Sequence, residues 1–241
     1  MKHTFQFLVI FSAIFMLNTR LSAQQQDTFK FNAGADIMSR YIWRGLDYGS
    51  SPSIQPTLSV SGAGFELGYW GAISTLGTYS EVDLYAKYTF SGVSVIATDY
   101  FFPGDAIPEA KSQKYFNWEK ETTGHLIEGA VQYKNPDVMP FSVLAGVFVY
   151  GAGDLNEEGN QKYSSYFELT YSGKLAENNF DIFVGGTASE GLYGSSAGVV
   201  NVGITAYRGI KLTNDFTLPL KASVIANPQT SNIHFVLGIT L

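Results

Sequence analysis

From Phe29 to Arg44 the chain alternates with a period of two. Phe29, Phe31, Ala33, Ala35, Ile37, Tyr41 and Trp43 fall on one side, broken only by Ser39, and Lys30, Asn32, Gly34, Asp36, Arg40 and Arg44 fall on the other. One face suits hydrocarbon and the other suits water. Strands in soluble domains run to about 5–6 residues, so an unbroken two-faced strand of this length predicts one that crosses a membrane and projects past it. The same alternation recurs at 54–61, 65–74, 82–90, 93–100, 125–134, 141–150, 162–171, 180–189, 199–212, 216–226 and 233–241, each stretch bounded by Gly, Ser, Asn, Asp or Pro. The pattern predicts an all-β fold, a transmembrane antiparallel up-and-down β-barrel of about 12 strands, the even number usual in single-chain bacterial barrels. A secreted β-sandwich also alternates. Its strands are shorter than 29–44, however, and the polar faces here are rich in Gly, Ser, Thr and Tyr where a water-exposed sheet carries Lys and Glu.

The connections repeat the barrel rule of short periplasmic turns and long outer loops. With a periplasmic start, 45–53, 75–79, 101–124, 151–161, 190–198 and 227–232 lie outside. The turns at 62–64, 91–92, 135–140, 172–179 and 213–215 lie inside, that at 172–179 being longer than the rule prefers and the loop at 75–79 shorter.

Ahead of the first strand, Lys2 and His3 precede an apolar run from Phe5 to Leu17, followed by Leu21-Ser22-Ala23. This reads as a secretory signal spanning 1–23, with the barrel at 24–241. The apolar run is shorter than the roughly 17–25 residues of a spanning helix. The chain has no cysteine, which excludes an acylated lipoprotein cysteine and a disulfide scaffold. Its net charge of −6 deepens to −8 once Lys2 and Arg20 leave with the signal, so nucleic acid is not expected as a partner. Charged residues make up 15% against about 25% in typical soluble proteins, too few for a water-facing surface of this size. The expected location is the bacterial outer membrane. Expected partners are its lipid and lipopolysaccharide and the barrel-assembly machinery, with a homo-oligomer as one arrangement of the apolar outer face.

The first third of the chain resembles the TorF-type porin family of outer-membrane proteins. Ser39, Tyr41, Arg44 and Gly45 in SRYIWRG carry the resemblance, then Pro52 and Ile54-Gln55 in SPSIQP. Gly68, Trp70 and Ser74 follow, and Glu81, Asp83-Leu84-Tyr85 and Tyr88 in EVDLYAKY. It covers about residues 36–102 and implies an outer-membrane pore whose substrates are largely undefined. The chain departs from the common barrel ending, since its last residue is Leu241 and the nearest aromatic on that face is Phe235.

If the apolar faces meet lipid, the opposite faces line the lumen. By parity that lining includes Asp36, Arg40, Arg44, Glu66, Trp70, Asp83, Lys87, Glu128, Glu168 and Lys221, joined by Lys30, Asp181 and Lys211. Both signs are present. Arg40, Arg44 and Lys87 facing Glu66, Asp83 and Glu128 would set a transverse field that orients a polar solute in passive diffusion. The same charges could instead pair across the lumen and plug it. Twelve strands lie between the eight that side chains fill and the sixteen that leave a channel. Arg40 and Arg44, four residues apart on one strand, would stand about 13 Å apart at ~3.3 Å per residue and act as successive stations, or Arg44 would pin the first loop at the outer rim.

Tyr41, Trp43, Tyr69, Tyr88, Tyr163 and Tyr171 are expected at strand ends on the lipid face, as interfacial anchors. Tyr115, Phe116 and Trp118, among the mixed charges Glu109, Lys111, Lys114, Glu119, Lys120 and Glu121, would either constrict the mouth or lie on the outer leaflet. The alternative readings are a non-conducting surface-binding barrel, with Asp154, Glu157 and Glu158 as a cation bridge to lipid A, and an outer-membrane lipid hydrolase. The hydrolase would need a Ser–His pair at His125 (beside Thr122 and Thr123) or at His234 near Ser231. No hydrolase motif surrounds either histidine, so no catalytic residue is assigned. No i, i+2 cluster of metal ligands marks a strand, so neither metal nor cofactor is expected.

Overall fold

The computed structural model describes residues 29–103 and 114–241. The leader expected at 1–23 lies outside the described residues, as do Glu109 and Lys111 of the fifth connection.

The chain runs through β1 (Lys30–Met38), β2 (Tyr41–Trp43), β3 (Leu46–Tyr48), β4 (Ser53–Gly62), β5 (Phe65–Ser74), β6 (Ser80–Phe90) and β7 (Val93–Phe101). It continues with β8 (His125–Lys134), β9 (Phe141–Tyr150), β10 (Ser165–Leu175), β11 (Asn178–Thr187), β12 (Gly198–Lys211), β13 (Thr217–Asn227) and β14 (Asn232–Thr240). All but β2 and β3 form one closed antiparallel barrel of twelve strands in consecutive order, which β1 closes by pairing with β14. The barrel strands run from nine to fourteen residues, enough to cross a bilayer when tilted.

Alternation, shifted at Ile127/Glu128 and Gly185/Gly186, decides which side chains point where, and the usual soluble arrangement is inverted. Leu58, Leu67, Val95, Val143, Leu169, Ile204 and Leu237 stand exposed on the outer face, while Gln55, Ser59, Ser94, Glu128, Asn201 and Thr205 are buried inside. One end of the barrel is closed by tight turns. At Ala63-Gly64 and Ser91-Gly92 both residues have positive φ, the geometry that matches the twist of the flanking strands in a two-residue hairpin. The other end carries the longer loops.

Three expectations need correction. The first strand does not run to Arg44. It stops at Met38, where Ser39 caps the pairing by donating its N–H to the Leu237 carbonyl (2.7 Å) and accepting the Leu237 N–H on its hydroxyl (2.9 Å). The turn expected at 172–179 shrinks to Ala176-Glu177, because Leu175 and Asn178 still pair across it, and this restores the short-turn rule. Residues 162–164 belong to a loop because buried Asp154 holds them. One of its carboxylate oxygens accepts from the Ser164 hydroxyl, and the other from the Ser164 N–H (3.2 Å) and the Gln161 amide (2.7 Å).

Candidate functional site

After Ser39 the chain turns into the barrel. β2 and β3 form a hairpin in which Tyr41 faces Tyr48 and Trp43 faces Leu46, with Arg44-Gly45 as its turn. Arg40 fastens the base, its Nε 3.4 Å from Asp47 and its Nη2 donating to the Ser50 carbonyl (3.2 Å). At the tip, Gly45 accepts the Asn227 side-chain amide on its carbonyl (3.2 Å). A β-carbon there would stand 2.0 Å from the Val200 carbonyl oxygen, so the tip lies against the wall at β12 with no side chain between.

Tyr41 and Trp43 therefore do not anchor the protein in lipid. They build an aromatic core inside the loop end of the barrel. Tyr41 packs on Tyr48 (5.5 Å between ring centres), Trp70 (5.3 Å) and Tyr79 (5.8 Å), and Trp43 on Tyr100 (5.5 Å), Tyr193 (5.6 Å) and Phe148 (6.4 Å). Tyr79 also donates to Glu81 (2.8 Å). Burial, reinforced by the Glu81 carboxylate, pushes the Tyr41, Tyr48 and Tyr79 hydroxyls well above the ordinary tyrosine value. Burial raises Tyr193 as well, against the opposing pull of Arg44.

Arg44 is the centre of this core. Its guanidinium meets Glu128 on β8 through two contacts of 2.5 and 2.9 Å, donates to the Tyr193 hydroxyl, and lies 4.5 Å from the Trp43 ring centre and 4.6 Å from that of Tyr166. Tyr100 donates to the second Glu128 oxygen (2.9 Å). The pair is nearly sealed, with 10% of the Arg44 side chain and 3% of the Glu128 side chain exposed. Since β8 lies across the ring from β1, the hairpin bridges the lumen. Arg44 is thus neither a rim residue nor a second station on a strand that also holds Arg40.

Toward the turn end the interior becomes polar and wetter. Lys87 pairs with Glu66 (2.9 Å), which also accepts from Tyr85 (2.7 Å). Lys221 pairs with Asp36 (2.5 Å), which also accepts from Thr240 (2.6 Å). The side chains of both pairs keep between 24 and 31% of their surface open. Glu168 accepts from Tyr166 (2.5 Å) and Thr170 (3.1 Å), and Asp181 from Ser172 (2.6 Å) and Tyr207 (3.1 Å). Asp83 is buried facing Trp70 across β5 and β6, and its Oδ1 has no hydrogen-bond partner among the described residues. Lys30 and Lys211 are exposed at the turn end.

The fifth connection folds over the outside of the wall, not into the mouth. Trp118 stacks on His125 (3.9 Å) and Tyr115 abuts it edge-on, while Phe116 is 89% exposed. The His125 Nδ1 lies 2.8 Å from Asp99, and its Nε2 lies 2.6 Å from the Tyr115 carbonyl, which can only accept. Both ring nitrogens are therefore occupied. The Thr123 hydroxyl is engaged with backbone, donating to the Asn117 carbonyl (2.7 Å) and accepting the His125 N–H (3.1 Å). His234 is buried on the inward face of β14. Among the described residues no group of three or more His, Asp or Glu side chains is gathered to hold a metal ion. Asp154, taken up by its own loop, is not available to an acidic cluster with Glu157 and Glu158.

Tyr100, Tyr166, Tyr193 and Asn227, which the alternation does not single out, grip the hairpin from the wall and a distant loop. One local signal was present. Gly146 pairs with Ala130, next to Glu128 on the inward face, and a β-carbon there would sit 2.5 Å from the Glu128 Oε1, so the glycine makes room for the carboxylate.

Among solved structures the chain is similar to a triple mutant of the Rhodopseudomonas blastica porin, at 12% identity and a TM-score of 0.41, with 78% of this chain and 55% of that one covered. It therefore spans about half the length of that porin. It is also similar to an outer membrane channel from Pseudomonas putida F1, at 13% identity and a TM-score of 0.43, with 92% of this chain and 98% of that one covered. No curated protein matches it. Residues 22–183, well over half of the chain, match the family described as bacterial protein of unknown function (Gcw_chp), and the chain belongs to that family.

Proposed function

We propose that this protein is an outer-membrane channel for small polar solutes, and that the β2–β3 hairpin is its gate. The observation that carries the reading is the contrast between the two halves of the interior. A closed barrel with an apolar exterior holds a polar, partly solvated chamber at the turn end, and the loop end is shut by one hairpin latched at a single ion pair. A barrel meant only as a rigid wall has no need of charge pairs that keep about a quarter or more of their surface open inside. A hairpin hung on a loop, in contrast, is an element that can move. The exposed outer band calls for lipid, the turn end would face the periplasm and the loops the exterior, and insertion would fall to the barrel-assembly machinery. The resemblance of residues 36–102 to the TorF-type porins points the same way. Diffusion would be passive, past Glu66, Lys87, Asp36 and Lys221, and the reading assigns no cofactor and no covalent chemistry.

The aromatic filling of the loop end favours a second reading, a permanently plugged barrel whose loops present a surface. Conductance in planar bilayers separates the two. We expect the natural chain to open rarely, Glu128→Gln to lengthen the openings, and a variant with residues 39–51 replaced by a short Gly-Ser linker to conduct in steady steps. A linker variant that is folded and inserted, yet silent, would leave only the plugged barrel.

A further inference from the structure

On the outward face of the described barrel strands, two charged side chains interrupt the apolar surface, apart from His125. One is Asp99, held by His125 beneath the Trp118 lid. The other is Arg208 on β12, which is exposed and makes no hydrogen bond or ion pair with any described residue. It stands between Ala206 and Ile210 and pairs across the sheet with Leu220, and the chain beyond it is still apolar on the outside at Ile210, Leu212 and Phe216. A cation facing hydrocarbon is costly, less so toward the interface, and the long arginine side chain reaches out for an anion.

What lies beside Arg208 narrows the choice of anion. Ala206 and Ala222 face each other across β12 and β13, and these two small residues among longer neighbours leave a groove of about 560 Å³. Leu220, Leu237 and Ile239 line it, with Arg208 at its edge. We propose that this groove binds one phospholipid of the leaflet at the turn end, with an acyl chain along Ala206 and Ala222 and the phosphate on the Arg208 guanidinium. A net-anionic headgroup such as phosphatidylglycerol is preferred, because it brings no ammonium to compete for the phosphate. The arginine fork matches two phosphate oxygens at once. Arg208 lies three residues from the end of β12, about 10 Å along the strand at ~3.3 Å per residue, which is headgroup-proximal. A second copy of the chain fits less well. Among the described residues the outward strand faces offer no free carboxylate to set against Arg208, since Asp99 is already engaged.

The proposal rests on the membrane placement given above, and its test keeps the two apart. The full chain is refolded into phosphatidylcholine vesicles doped with phosphatidylglycerol, extracted in mild detergent and weighed by native mass spectrometry. The natural chain should keep one phosphatidylglycerol in preference to phosphatidylcholine. Arg208→Gln should lower that retention on the order of tenfold, the scale of one charge-assisted contact, and erase the preference. Ala222→Trp, which fills the groove and leaves Arg208 in place, should lower retention of both lipids. Equal retention by the natural chain and Arg208→Gln would overturn the site, and so would a dimer that disappears with Arg208→Gln. Folded protein that fails to enter vesicles at all would overturn the membrane reading and this one together.

Discussion

Gly45 meets two demands that no other residue satisfies together. Its φ of +80° lies in the left-handed region, and its missing β-carbon lets the hairpin tip touch the wall at Val200. Gly45→Ala should therefore cost roughly 2–4 kcal/mol of stability or lift the tip from the wall, from strain and overpacking combined. Urea unfolding in detergent micelles reads the first result, and more frequent channel opening the second. The neighbouring Arg44–Glu128 pair makes a sharper case. Removing Glu128 alone leaves a buried guanidinium without its anion, at a cost of about 3–5 kcal/mol. Replacing both partners with apolar residues of similar size, Arg44→Met with Glu128→Leu, should recover most of that loss, as measured in the same unfolding experiment. If the double variant proves as weak as Glu128→Leu, the pair is not acting as an isolated latch.

At the scale of elements, the hairpin shows what alternation can and cannot report. The twelve wall strands were legible because a wall with oil on one side and water on the other forces period two along its whole length. That same period continued through Tyr41 and Trp43 although the chain had left the wall. A two-residue pattern records that a side chain seeks an apolar neighbour, and it does not say whether the neighbour is lipid or Tyr100. The Arg44-Gly45 turn with Asp47 beyond it was the available sign of a hairpin. The inward placement of Glu66, Lys87, Asp36, Lys221, Glu128 and Glu168 followed from parity alone. The residues that hold the hairpin did not, because Tyr193 reaches Arg44 and Asn227 reaches Gly45 through contacts far apart in sequence. The hairpin also has a titration signature. A tyrosine whose folded-state pKa is raised adds stability that is fully present below its unfolded value near 10 and is lost as pH climbs through the folded one. Tyr41, Tyr48, Tyr79 and Tyr193 should thus stay neutral in tyrosinate absorbance after other tyrosines have ionised, and then titrate together as the hairpin melts. The linker variant should lack the contribution of Tyr41 and Tyr48 to that late step.

For the whole molecule, the three tryptophans report which side of the wall is which. Trp43 and Trp70 lie within the barrel, and Trp118 is 47% exposed on its outer surface. Brominated lipids should quench Trp118 alone, so that Trp118→Phe protein in such vesicles loses its sensitivity to bromine. Residual quenching in that variant would put Trp43 back at the lipid surface. The closure of the ring carries a last consequence. β1 and β14 come from opposite ends of the chain and share only three register pairs, whereas β1 and β4 share nine. Joining such distant segments carries the largest loop entropy of any step in building the wall, so it comes late. Ser39, bonded to Leu237 on that join, is also the residue from which the hairpin departs. The seam of the cylinder and the root of its cork thus share one residue, so that a loosened seam would slacken the cork as well.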